Sequence, residues 1–191
     1  MKLPGRLTVT ALLSAGLATS AGAGTLTFQG VTFTSSVSGN ILTIEIDAVH
    51  PTGDWVTATT IGALQIKDIG NFDAVSLTAA PGAAIGWTLS PHELNANGCE
   101  GGAHSKQSVC YYGTHVVLTD KMIFQYAFTG ANTNFTSPDL KVNFFVGDNT
   151  SKIGSLLSMT LPAVPEPHTY AMLFGGLAVL GALARRRRNN F

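Results

Sequence analysis

Between its two ends the chain has no arginine: all five stand at Arg6 and at Arg185 to Arg188. From Gly24 to Val164 five lysines face ten acidic residues, a net charge of −5. Phosphate recognition relies on clustered Lys and Arg, so this stretch has little electrostatic support for a nucleic-acid partner. Catalytic signatures are also missing. There is no Gly-x-Ser-x-Gly elbow, P-loop or dinucleotide glycine fingerprint, and His92-Glu93 lacks the second histidine of a helical zinc-protease motif because Ala96 stands there. No repeat recurs at a fixed period, which argues against a solenoid. A length of 191 residues allows one ordinary domain plus processing segments.

What is present begins with an export signal. Lys2 and Arg6 precede an apolar run from Leu7 to Leu17, followed by the small residues from Ala18 to Ala23. Charged, apolar and small segments in that order make residues 1–23 a signal peptide, with cleavage expected after Ala23. The run is shorter than the roughly 20 residues a spanning helix needs, which disfavours an uncleaved anchor.

The other end has its own order: Val164, Pro165, Glu166 and Pro167, a polar step through Tyr170, the apolar stretch Ala171 to Ala184, then Arg185, Arg186, Arg187 and Arg188. Proline is tolerated at the start of a helix, and Glu166 complements the positive end of the helix dipole. Residues 167–184 as a helix would extend about 27 Å, close to the hydrocarbon thickness of a bilayer. The four arginines then mark the cytoplasmic side as a stop-transfer flank.

This tail resembles the PEP-CTERM sorting signal in order and spacing, a signal also catalogued as an ice-binding-protein C-terminal domain. The resemblance implies a membrane-embedded exosortase that cuts near Pro-Glu-Pro, and a Gram-negative envelope or exopolysaccharide matrix that receives the product. An ordinary single-pass anchor would share the helix and the arginines but would not call for Val164 to Pro167.

In between, the pattern has period two. Leu42, Ile44 and Ile46 alternate with Thr43, Glu45 and Asp47. Met122, Phe124, Tyr126 and Phe128 do the same, as do Val142, Phe144 and Val146. Further strands are expected over 26–34, 63–67, 75–79, 84–89, 109–118 and 153–161, separated by turn-forming Gly, Pro, Asn and Asp. The expectation is an all-β, antiparallel β-sandwich of jelly-roll type over 24–161.

Cys99 and Cys110 are the only cysteines, and in an exported chain they are expected to form a disulfide. A Cys2His2 zinc site with His104 and His115 is formally available, but the spacing is not a zinc pattern. Glu45 and Asp47 share a strand face, the ordinary outcome for solvent-facing acids. For ligand contact the candidates are Trp55, which follows a turn, and the neighbours Tyr111 and Tyr112, one of which must face outward. Trp87 is expected in the core beside Ile85 and Leu89. Thr32, Thr34, Thr57 and Thr59 read as scattered, not as the ranked array that ice binding would want.

The expectation as a whole is a non-catalytic surface or matrix protein without cofactor or metal: signal peptide 1–23, β domain 24–161, sorting tail 162–191 with one transmembrane helix. Its partners would be the Sec translocon, signal peptidase, the inner membrane, an exosortase-like protease and exopolysaccharide. The rivals are a carbohydrate-binding or adhesive module and a secreted hydrolase.

Overall fold

The computed structural model describes residues 23–103, 105–130, 132–149, 151–154, 157–162 and 176–178. The strands are β1 (Ala23–Phe28), β2 (Val31–Ser38), β3 (Ile41–Asp47), β4 (Thr60–Lys67), β5 (Gly70–Asn71), β6 (Ala74–Ala79), β7 (Thr88–Ser90), β8 (Val109–Val117), β9 (Met122–Thr129), β10 (Asn132–Thr133), β11 (Asp139–Phe145) and β12 (Leu157–Thr160). They form two five-stranded antiparallel sheets, ordered β1-β2-β3-β9-β6 and β12-β11-β4-β8-β7, with β5 and β10 paired separately.

Alternation dictates which side of each strand is buried. Phe33, Ile44, Ile46, Phe124, Tyr126 and Phe128 from the first sheet join Ile61, Leu64, Ile66, Leu140, Val142 and Phe144 from the second in one apolar core. Tyr111 of β8 packs on Tyr126 of β9 with ring centroids 5.5 Å apart, and Trp87 meets Phe124 at 5.5 Å, so rings bridge the two sheets. Five connections cross between sheets: β3 to β4, β4 to β6, β6 to β7, β8 to β9 and β9 to β11. A jelly roll arranges eight strands as two Greek keys. This chain differs in carrying a β1–β2–β3 meander on the first sheet and hairpins at both edges of the second.

Several boundaries differ from the sequence reading. The strand expected over 26–34 is a hairpin, because Gln29 and Gly30 both adopt positive φ (46° and 74°), the backbone of a type I′ turn. The strand expected over 84–89 is instead a 3-10 turn at Gly82–Gly86 followed by β7. That turn sends Ile85 outward (52% exposed) and Trp87 inward (5%), so Trp87 is core without the neighbours expected for it; Leu89 is 42% exposed. Trp87 Nε1 donates to Thr114 O at 2.8 Å, satisfying its one polar atom.

Most of the segment expected to be a signal peptide, and nearly all of the sorting tail, lie outside the described residues. Residues 176–178 are helical, and among the described residues no helix is long and apolar enough to cross a membrane.

Candidate functional site

The outer side of the second sheet is the most elaborated surface of the domain. Strand β4 is buried along almost its whole length, although only Ile61, Leu64 and Ile66 belong to the main core. Its other face, with Ala63 and Gln65, lies under the segment 91–108. The placement stems from alternation in β8. Val109 and Tyr111 turn into the core, so Cys110 must turn out, opposite Gln65. Its disulfide to Cys99 therefore fastens the loop on that outer face.

Buried polar groups complete the attachment. Gln65 Oε1 accepts the Leu94 N–H at 2.9 Å. Asn143 Nδ2 donates to Asn95 O at 2.6 Å. Ser90 Oγ donates to Cys99 O at 2.8 Å and accepts the His92 N–H at 3.1 Å. Lys141 and Glu93 add an ion pair at 3.3 Å, and Leu94 packs on Ala63 and the disulfide. Sequence reading did not single out Gln65, Asn143 or Ser90. The available signal was a polar residue set between core positions of a strand, Leu64 and Ile66 around Gln65 and Val142 and Phe144 around Asn143.

Beyond the loop the same face carries Tyr112 and His115. Three residues of β8, Gly113 to His115, oppose Gly62 alone between the pairs Ile61↔Val116 and Ala63↔Tyr112, a bulge that re-aims the strand. His115 lies directly over Gly62, where a β-carbon would come within 2.3 Å of the imidazole. The ring stacks on Phe145 with centroids 4.2 Å apart, and its Nδ1 stands 3.0 Å from Gly147 O. A carbonyl only accepts, so the hydrogen belongs on Nδ1.

The three ligand-contact candidates separate. Tyr112 is 38% exposed on this outer face. Tyr111 is interior, and burial raises the pKa of its hydroxyl. Trp55 is fully buried, against the expectation that it lies at the surface. It sits in the 3-10 turn Gly53–Trp55 and closes one end of the core, edge-on to Phe28, Phe33 and Phe144.

The zinc alternative is overturned for its cysteines, which are disulfide-bonded and offer no thiolate. His104 lies outside the described residues, and His115 faces Gly147. Among the described residues no group of three or more His, Cys, Asp or Glu is placed to hold a metal ion.

The threonine expectation also needs correction. Thr25 and Thr34 are cross-strand partners with hydroxyls 3.3 Å apart, as are Thr27 and Thr32 at 3.0 Å, so Thr32 and Thr34 stand in ranks on the outer face of the first sheet. The next strand continues those rows with Asp47 and Glu45. Hairpin register, which the sequence pattern alone did not expose, creates the ranks.

The described fold closes at Leu161, which is fully buried and donates its N–H to Pro138 O at 2.9 Å. After Leu161 the sequence carries a sorting signal, which defines the class of this protein as exported and membrane-processed. The family model of the PEP-CTERM protein-sorting motif matches residues 163–188, and such a tail is the substrate of an exosortase. Val164 to Pro167 and Arg185 to Arg188 fall inside that match and outside the described residues. No curated protein and no solved structure matches the chain.

Proposed function

We propose that this chain is a non-catalytic β-sandwich displayed at the cell surface or in an exopolysaccharide matrix after its C-terminal tail has been removed. Signal peptidase cuts after Ala23, and the domain of residues 24–161 folds outside the cytoplasm. A helix within the tail then holds it in the inner membrane, with Arg185 to Arg188 on the cytoplasmic side, until the exosortase acts. The observation that carries this reading is the junction: among the described residues the last buried one is Leu161, and the sorting motif begins at residue 163. The buried polar side chains Gln65, Asn143 and Ser90 are engaged in holding a loop, which favours a structural use for them over a catalytic one. The deciding experiment compares the C-terminal mass and cell fraction of the protein in cells with and without the exosortase. Full-length membrane-bound protein is expected without it and a shortened form at the surface with it. An identical mass in both strains would sink the assignment.

A second reading, binding of a glycan, is favoured by Tyr112. Its partly exposed ring lies on the outer face of the second sheet, next to Thr88 on the neighbouring strand. Aromatic rings with one exposed side stack well on the apolar side of a sugar. Tyr112→Ala should then abolish retention on exopolysaccharide while leaving stability nearly unchanged. Equal retention of parent and variant would remove this reading.

A further inference from the structure

Four strands border the two sheets, and a border strand offers free N–H and C=O groups to any chain that can pair with it. Proteins blunt such edges by shortness, bulges, charge or proline. Three of the four are blunted here. β7 has three residues and runs into Pro91, and β12 has four with Pro162 just beyond it. β6 is irregular between Leu77 and Ala79 and is flanked by Asp73 and Pro81. Among the described residues no strand pairs with the outer side of β1, and its side chains include no charge and no proline. Cleavage after Ala23 leaves Gly-Thr-Leu-Thr-Phe, opened by the α-ammonium of Gly24, with a register on β2 that is unbroken from Gly24↔Ser35 to Phe28↔Val31.

The hairpin fixes which groups are free. A two-residue turn makes Phe28 and Val31 a hydrogen-bonded pair, and the antiparallel ladder alternates, so Leu26/Phe33 and Gly24/Ser35 are bonded pairs as well. The N–H and C=O groups of Thr25 and Thr27 consequently point away from β2. Leu26 and Phe28 pack against the core yet remain partly exposed, as apolar residues on an uncovered border would.

We propose that this edge pairs with the β1 edge of a second copy, antiparallel and centred on Leu26. Thr25 then lies opposite Thr27 of the second copy and exchanges two backbone bonds with it; the symmetric pair brings the total to four. The two Leu26 side chains meet on the core side. On the outer side threonine meets threonine, the pairing already present between β1 and β2. The occupant is a second copy because Thr25-Leu26-Thr27 reads the same in both directions, and a two-fold axis at Leu26 sets each Gly24 ammonium opposite Phe28 of the second copy, about 13 Å along the strands from the other ammonium, so no like charges meet.

Sedimentation of the processed protein tests the pairing. A strand-edge contact is smaller than the roughly 1,200 Å² of a stable interface, so dimerisation should be weak and the average mass should climb between about 10 μM and 1 mM. Thr27→Pro removes an outward N–H without touching the β1–β2 ladder and should leave a monomer with the parent circular dichroism spectrum. Thr25→Lys with Thr27→Lys sets like charges opposite one another and should weaken the dimer at least tenfold, whereas Thr25→Lys with Thr27→Glu sets opposite charges together and should restore it. A processed protein that stays monomeric to 1 mM, or the same dimerisation in both charge pairs, overturns the pairing. Leu26→Cys supplies a second test: the two thiols would face each other across the axis, so diamide should link the processed protein into dimers, and no linking at 1 mM would overturn the pairing.

Discussion

Removal of the Trp55 side chain should cost this domain a large part of its stability. Its indole is fully buried and meets three rings edge-on, Phe28 at 5.3 Å, Phe33 at 6.4 Å and Phe144 at 4.7 Å. Aromatic side chains of this kind bury about 150–250 Å², which at about 25 cal/mol per Å² corresponds to roughly 4–6 kcal/mol. Measured truncations of buried Phe and Trp to Ala fall at about 3–5 kcal/mol, because the surroundings relax only in part. A loss near 4 kcal/mol is thus expected for Trp55→Ala, against a typical total of about 5–15 kcal/mol for a domain. With a urea dependence near 2 kcal/mol per M, the unfolding midpoint should fall by about 2 M. Urea titration followed by far-ultraviolet circular dichroism measures this, and Trp55→Phe, which keeps an aromatic ring there, should recover much of the loss. A shift below about 0.5 M for Trp55→Ala would mean that the indole does not close the core, and the surface role first expected for it would return.

The disulfide closes a short loop, and replacing Cys99 and Cys110 together by Ser should destabilise the domain by about 3 kcal/mol, read as the change in thermal or urea midpoint. Hydrogen exchange in that variant should rise first at Leu94, whose N–H is held by Gln65; unchanged protection there would show that the staple does not fasten the loop. Gln65→Ala should cost about 1–3 kcal/mol by leaving the buried Leu94 N–H without its acceptor, and a neutral result in the same titration would contradict that bond. Burial raises the pKa of both Tyr111 and Tyr126 above 10.0, so the unfolded chain loses protons there that the folded chain keeps. Stability should hold below pH 10 and fall as pH rises through the raised values, with tyrosinate absorbance appearing together with unfolding; tyrosinate forming in full while the fold persists would refute the burial of both hydroxyls.

Local alternation made the strand cores readable. Leu42, Ile44 and Ile46, or Phe124, Tyr126 and Phe128, occupy one side of their strands because backbone geometry sends alternate residues to opposite faces. The same rule separated Tyr111 from Tyr112. The sorting tail was readable for a different reason: its motif is a linear order of residues and needs no partner elsewhere in the chain. What escaped depends on contacts between distant segments. Trp55 is interior because Phe28, Phe33 and Phe144 come from three strands spread over more than a hundred residues to surround it. Gln65 and Asn143 are covered because Cys110 faces outward and draws a loop over them. The threonine ranks arise only from the register of β1 on β2, set by positive φ at Gln29 and Gly30. Strand periodicity, the cysteine pair and the tail were therefore legible in advance, because all three are encoded along the chain. Which side of each sheet is covered, which rings are interior and which described strands border the sheets emerge only in three dimensions, because register and loop docking are fixed by partners far away in sequence.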